Sequence, residues 1–135
     1  MAVLAVAALT TACDPDDVYN GVCDAENMCM YEHAGYTGRV MDPGECDGEW
    51  ACGFGDFSQV DYWDTDTSPN DKTSAIKNRI TTKAYTTMWV DAVGGGGKFC
   101  SPSGFQYSNL STFPGTNYND KFSSEASTFY NPCAF

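Results

Sequence analysis

The chain has 135 residues, enough for one compact domain or for two small halves sharing a core. Its net charge of −11 repels phosphate backbones, which excludes nucleic acid as a natural partner and leaves cations and basic protein surfaces. Leu is scarce and strong helix formers are rare after the first dozen residues, while Tyr, Phe, Thr, Val and Ser recur between Gly-rich turns; this excludes a helical bundle and predicts an all-β chain.

The chain opens MAVLAVAALTTAC, an apolar run followed by small residues. It reads as the core and cleavage site of a secretory signal over 1–12, too short to span a bilayer. Cys13 closes a loose lipobox-like stretch, LTTAC, in which Thr10 stands where Leu is usual. Two alternatives follow: a lipid on Cys13 that anchors the protein to the cell envelope, or plain cleavage near Ala12. Either way the expected location is secreted or extracellular. Residues 13–22 are an acidic, turn-rich linker, and 23–135 are the folded domain.

Charge is uneven along the chain. From Cys13 to Asp66 there are fourteen acidic residues against Arg39 alone; beyond Asp66 four acids meet six Lys or Arg. With Cys13 set aside, six cysteines remain, an even number that suits disulfides in an oxidising compartment. The pairing expected is Cys23–Cys29, Cys46–Cys52 and Cys100–Cys133.

Strand-like sequence begins with MCMYEHAGYTGRVM. Tyr31, Tyr36 and Gly38 form an aromatic-x4-aromatic-x-Gly pattern, which fits a hairpin whose turn is covered by paired rings, with Gly38 in a backbone conformation that a side chain disfavours. A Gly- and acid-rich stretch with two cysteines follows, GECDGEWACGFGD, then FSQVDYW, and then the pentapeptide Asn70-Asp71-Lys72-Thr73-Ser74. The second half repeats this order. Trp89 starts it, Gly94 stands at the second aromatic position, Gly96 holds the Gly position, and Asn119-Asp120-Lys121-Phe122-Ser123 returns the pentapeptide. Phe57 precedes Asn70 by thirteen residues and Phe105 precedes Asn119 by fourteen, which pairs Phe57 with Phe105. The expected units are motif one over about 28–83 and motif two over about 84–135, a duplicated Greek key.

This combination resembles the βγ-crystallin Greek-key motif, in which the aromatic-x4-aromatic-x-Gly pattern is followed by [Asn/Asp]-[Asn/Asp]-x-x-[Ser/Thr]-Ser. NDKFSS matches in full; NDKTSA carries Ala75 at the last position. With the cysteines flanking the first strand's approach, the chain looks most like peptidase inhibitor family I36. The resemblance implies a βγ-crystallin-type Greek-key β-sandwich built from two repeated motifs and stapled by disulfides. It also implies Ca²⁺ as cofactor. Each site would take side-chain oxygen from Asn70/Asp71 or Asn119/Asp120, the carbonyl of Lys72 or Lys121, the hydroxyl of Ser74 or Ser123, and a backbone oxygen near Glu32 or Val90. Those donors suit a hard cation that takes six to eight oxygens. Asn, Asp and Ser are also ordinary turn residues that bond neighbouring amides without a metal.

Other chemistry is thin. His33 is the single histidine and sits in the hairpin. No Gly-x-Ser-x-Gly occurs, Gly94–Gly97 leads to Lys98-Phe99 rather than to a phosphate loop, and an EF-hand read from Asp64 fails at Pro69 and Ala75. The expectation is therefore a non-enzyme: a secreted calcium-binding protein that inhibits an extracellular peptidase. The acidic insert would be the inhibitory loop, anchored by Trp50 and Phe54. The alternatives are a calcium-stabilised structural or stress protein of the envelope or matrix, and a secreted toxin-like protein.

Overall fold

The computed structural model describes residues 21–42, 55–63, 65–83 and 85–128. Seven strands run in the order β1 (Met28–His33), β2 (Thr37–Met41), β3 (Ala75–Asn78), β4 (Tyr85–Asp91), β5 (Gly95–Pro102), β6 (Gln106–Tyr107) and β7 (Ser124–Thr128). Short 3-10 turns at Phe57–Gln59, Ala92–Gly94 and Leu110–Thr112 link them, and no α-helix occurs among the described residues. The strands form two antiparallel sheets, ordered β2-β1-β3-β6 and β5-β4-β7. The expected all-β, two-motif sandwich is the architecture found.

Each strand's alternation explains its place. In β1, Met28 and Met30 turn into the core, while Cys29 and Tyr31 face the opposite side of the sheet. Met41 and Ile76 join them from β2 and β3; Met88 and Phe99 answer from the second sheet. Phe57, Leu110 and Phe122 fill the space between, all fully buried. Around Phe99 the packing is aromatic. Its ring meets Phe113 and Tyr118 edge-on at 5.0 and 5.2 Å, and tilts against Phe105 and Phe122. Burying such a ring contributes about 1.5–3 kcal/mol, and its edge-to-face partners add about 0.5–1.5 kcal/mol each.

The strand β6 belongs to motif two by sequence but completes the sheet of motif one, pairing Ile76 with Tyr107 and Lys77 with Gln106. Motif two thus lends a strand to the first sheet, while the second sheet, β5-β4-β7, is its own among the described residues. Their equivalence shows in the backbone. Gly35 N–H donates to Ser108 O at 2.7 Å, and Val93 N–H donates to Gly55 O at 2.5 Å. Phe57 N–H donates to Ser123 O at 2.8 Å, and Leu110 N–H donates to Ser74 O at 2.9 Å. The counterpart of Phe57 is therefore Leu110, not Phe105, whose ring packs beside Phe99. Both counterparts sit in 3-10 turns capped alike: Asp56 accepts from the Ser58 N–H and hydroxyl, and Asn109 from those of Ser111. Phe57 reaches Asn70 in thirteen residues, whereas Leu110 reaches Asn119 in nine. Part of motif one's extra length thus lies in the loop carrying buried Tyr62 and exposed Trp63.

A disulfide joins Cys23 to Cys29, with Cα atoms 5.6 Å apart, and fastens the N-terminal approach to β1. Cys100 is disulfide-bonded as well. Cys13, Cys46, Cys52 and Cys133 lie outside the described residues.

The hairpins β1–β2 and β4–β5 share one device. Each register breaks once, between Tyr31 and His33 and between Trp89 and Asp91, so that Gly38-Arg39 faces Glu32 and Gly96-Gly97 faces Val90. Gly38 and Gly96 hold φ of +77° and +70°. A Cβ on Gly38 would fall 2.8 Å from the His33 ring, and one on Gly96 2.6 Å from the Asp91 carboxylate. Gly35 also has positive φ but faces open space. Gly35→Ala should therefore cost only the backbone penalty of about 1–2 kcal/mol. Gly38→Ala should cost more, about 2–4 kcal/mol, because crowding is added. Urea unfolding of the two variants checks the order; equal losses would contradict it.

Candidate cation-binding loops

The pentapeptides at 70–74 and 119–123 lie side by side and interlock. Each is entered through a side-chain turn: Ser68 Oγ accepts from Asn70 N–H at 3.1 Å, and Asn117 Oδ1 accepts from Asn119 N–H at 2.9 Å. Asp71 and Asp120 then adopt left-handed backbone, with φ of +53° and +52°. That region is tolerable for Asp because its short polar side chain bonds locally. The turn sends each Asp amide across to the other loop. Asp71 N–H donates to Phe122 O and Asp120 N–H to Thr73 O, both at 3.0 Å.

The side chains cross in the same way. Ser74 Oγ donates to Asp120 Oδ1 at 3.2 Å, and Ser123 Oγ donates to Asp71 Oδ1 at 3.2 Å. The second carboxylate oxygen is held locally, by Asn70 Nδ2 at 2.9 Å for Asp71 and by Asn119 Nδ2 at 2.5 Å for Asp120. Asn70 and Asn119 thus orient the carboxylates, while Asp71 and Asp120 reach across. Lys72 turns its ammonium back onto Ser68 O at 2.9 Å.

The bulges complete the two clusters. Ser74 N–H donates to Tyr31 O at 2.8 Å and Ser123 N–H to Trp89 O at 2.9 Å. This docks each Ser beside the bulge residue that follows, Glu32 or Val90. The structure brings together Glu32, Ser74 and Asp120 in one cluster and Val90, Ser123 and Asp71 in the other, with Lys72 and Lys121 in the loop backbone. The two Ser residues are buried and both Asp residues are exposed, so each cluster opens to solvent on its carboxylate side. The side-chain oxygens that meet in each cluster are a carboxylate and a hydroxyl, oxygen donors of the kind a hard cation takes. Among the described residues no three His, Cys, Asp or Glu side chains converge as a thiolate- or imidazole-type metal site.

Glu32 has a side-chain role that its sequence context does not reveal. Its carboxylate takes the Arg39 guanidinium at 2.9 and 2.5 Å. That charge-assisted pair holds the Glu32 carboxyl at about 2, well below its ordinary 4.5. Arg39 in turn lies over the Tyr62 ring at 5.0 Å, tying the bulge to the long loop. The proposed anchors Trp50 and Phe54 lie outside the described residues.

Two interlocked Greek-key motifs, each with a bulged hairpin and an Asn-Asp-x-x-Ser loop, define a βγ-crystallin-type domain. Solved βγ-crystallin structures share this fold. One from a study of the evolution of the eye-lens βγ-crystallin domain superposes with a TM-score of 0.59 at 21% identity, covering 82% of this chain and 96% of that one. An archaeal βγ-crystallin gives 0.52 at 17%, covering 77% and 99%, and one from Ciona intestinalis 0.51 at 16%, covering 73% and 95%. The sequence pattern of peptidase inhibitor family I36 matches residues 19–101, and the chain belongs to that family. No curated protein matches the sequence significantly.

The Glu32–Arg39 pair makes acid stability testable. The folded carboxyl titrates near 2 and the unfolded one near 4.5, so the pair stabilises the fold above about pH 4.5. That contribution is lost progressively as pH falls from 4.5 toward 2. Thermal midpoints of wild type and Glu32→Gln should differ at pH 7 and converge near pH 2; a constant gap would contradict the assignment.

Proposed function

We propose that this chain is a secreted, non-catalytic protein that binds Ca²⁺ between its two crossed loops and engages an extracellular peptidase. The crossed Ser74–Asp120 and Ser123–Asp71 pairs carry the cation reading. Turn residues that serve only their own backbone satisfy themselves within a loop; here each carboxylate is carried to the other loop's hydroxyl and held there by an Asn. One cation would be held by Asp120, Ser74 and the Lys72 and Glu32 carbonyls, the other by Asp71, Ser123 and the Lys121 and Val90 carbonyls. When bound, Ca²⁺ would neutralise the Asp charge and bridge the two motifs. A chain of net charge −11 gains from such neutralisation. Extracellular Ca²⁺ and an oxidising compartment go together with the Cys23–Cys29 disulfide.

Calorimetric titration of decalcified protein should show Ca²⁺ binding at two sites of unequal affinity, since their carbonyl surroundings differ. Free Ca²⁺ at about 100 times Kd should add about 2.7 kcal/mol of stability per site. Asp71→Asn keeps the left-handed turn and should weaken the Ser123 site about tenfold or more while leaving the Ser74 site intact. No heat and no thermal shift for wild type would reject the cation reading; an unaltered Ser123 site in the variant would reject the residue assignment.

Membership of family I36 supports the peptidase reading. An inhibitor of this kind acts by presenting a rigid, braced loop to an active-site cleft. We place that role on the acidic, cysteine-bearing stretch with Trp50 and Phe54. Purified protein assayed against metallo-, serine and cysteine peptidases should inhibit at least one class, and Trp50→Ala should weaken that inhibition by about tenfold or more. Absence of inhibition in all three classes would favour a calcium-stabilised structural role on the same scaffold.

A further inference from the structure

The first sheet has a second face, away from the core, and a groove of about 580 Å³ lies on it. Tyr31, Lys77, Arg79, Gly104, Phe105 and Gln106 line it, opposite the wall formed by the Cys23–Cys29 approach. The chain around it is acidic, yet the groove gathers two cations, Lys77 and Arg79, and among the described residues neither forms an ion pair with a carboxylate. Lys77 lies against ring faces, with its ammonium 4.1 Å from the Tyr36 centroid and 5.6 Å from that of Tyr31. Arg79 gives one N–H to the Cys23 carbonyl and is exposed. Arg39, by contrast, is fully engaged with Glu32. One acid lines the groove as well, Glu26; the N–H and hydroxyl of both Thr81 and Thr82 donate to its carboxylate and keep it ionised, so two cations and one anion leave the lining with one net positive charge.

The backbone positions of the two cations suggest the ligand. Lys77 lies in β3, and Arg79 continues the same extended ladder, giving its N–H to Asn27 O at 2.9 Å. Two residues apart on extended backbone, their Cα atoms repeat at roughly 6.5–7 Å on one face, with the Lys77 ammonium over Tyr36 and the Arg79 guanidinium at the Cys23 carbonyl. An extended peptide repeats its own side chains at that interval. Gln106 sits directly across from Lys77 and offers amide groups to a peptide backbone, and half-buried Phe105 offers apolar contact. The protein's overall negative charge opposes a long polyanion. It acts weakly on a short segment, since exposed charges beyond about 8 Å are screened at physiological salt.

We propose that this groove binds a short, extended acidic peptide segment carrying carboxylates at alternate positions, which pair with Lys77 and Arg79. The site lies on the outer face of the first sheet, stands on the groove's own residues, and does not depend on the cation loops.

The test uses a fluorescein-labelled pentapeptide of alternating Asp and Thr, titrated by fluorescence anisotropy in EDTA at 50 mM NaCl. Saturable binding is expected, weakened at least tenfold when Asn replaces each Asp in the peptide and when NaCl is raised to 500 mM. Lys77→Gln/Arg79→Gln should weaken it at least tenfold while keeping the wild-type circular dichroism spectrum. If that variant misfolds, Gln106→Ala and Lys77→Gln alone provide the same comparison with a smaller loss. Equal affinity for the Asn peptide, or unchanged affinity in the folded variants, would overturn the proposal. So would binding of an oligogalacturonate in place of the peptide. Because EDTA removes Ca²⁺ from every arm, failure here leaves the calcium titration unaffected, and the reverse also holds.

Discussion

The constraint on which this molecule depends is the reciprocal seam between its two polar loops. Each left-handed Asp hands its amide to the other loop's backbone and its carboxylate to the other loop's serine. The same serines dock onto β1 and β4 and fix where each bulge falls. Alone, each loop would lose the acceptor of its Asp amide and the serine partner of its carboxylate, and such hydrogen bonds contribute about 0.5–1.5 kcal/mol each. The seam therefore sets the relative placement of the two motifs, and with it the shape of the core between the sheets.

Much of this was legible in the chain. The aromatic-x4-aromatic-x-Gly pattern and the repeated Asn-Asp-Lys-x-Ser are side-chain signatures at fixed offsets, and they mark the hairpin and the loop directly. That Gly94 and Gly96 stand where Tyr36 and Gly38 stand was readable by count, and the backbone angles show why: this turn needs positive φ more than it needs a second ring. Trp89 still covers the turn, with its ring 3.6 Å from where a Gly94 Cβ would be.

Other features were hidden for physical reasons. Which serine each carboxylate faces depends on how two distant segments cross, and local sequence carries no trace of that. Phe105 seemed the partner of Phe57 because ring type and spacing agree. The true equivalence with Leu110 rests on backbone hydrogen bonds that ignore side-chain identity. A subtler signal was present: Asp56-Phe57-Ser58 and Asn109-Leu110-Ser111 share one capping grammar around one apolar residue. The Glu32–Arg39 pair and the gathering of Lys77 and Arg79 in one groove likewise emerge only when strands are laid in register.

The lent strand β6 also bears on how the molecule comes apart. Gln106 and Tyr107 close the edge of a sheet laid down some thirty residues earlier, so among the described residues the sheet of motif one is incomplete without motif two. Loss of motif two would expose the hydrogen-bonding edge of β3 to other chains, a hazard that natural sheets take care to cover. The duplication thus ties its motifs through distant pairings rather than leaving two tandem modules, and pairings of that kind slow folding in general; a change at the seam is felt in both sheets together.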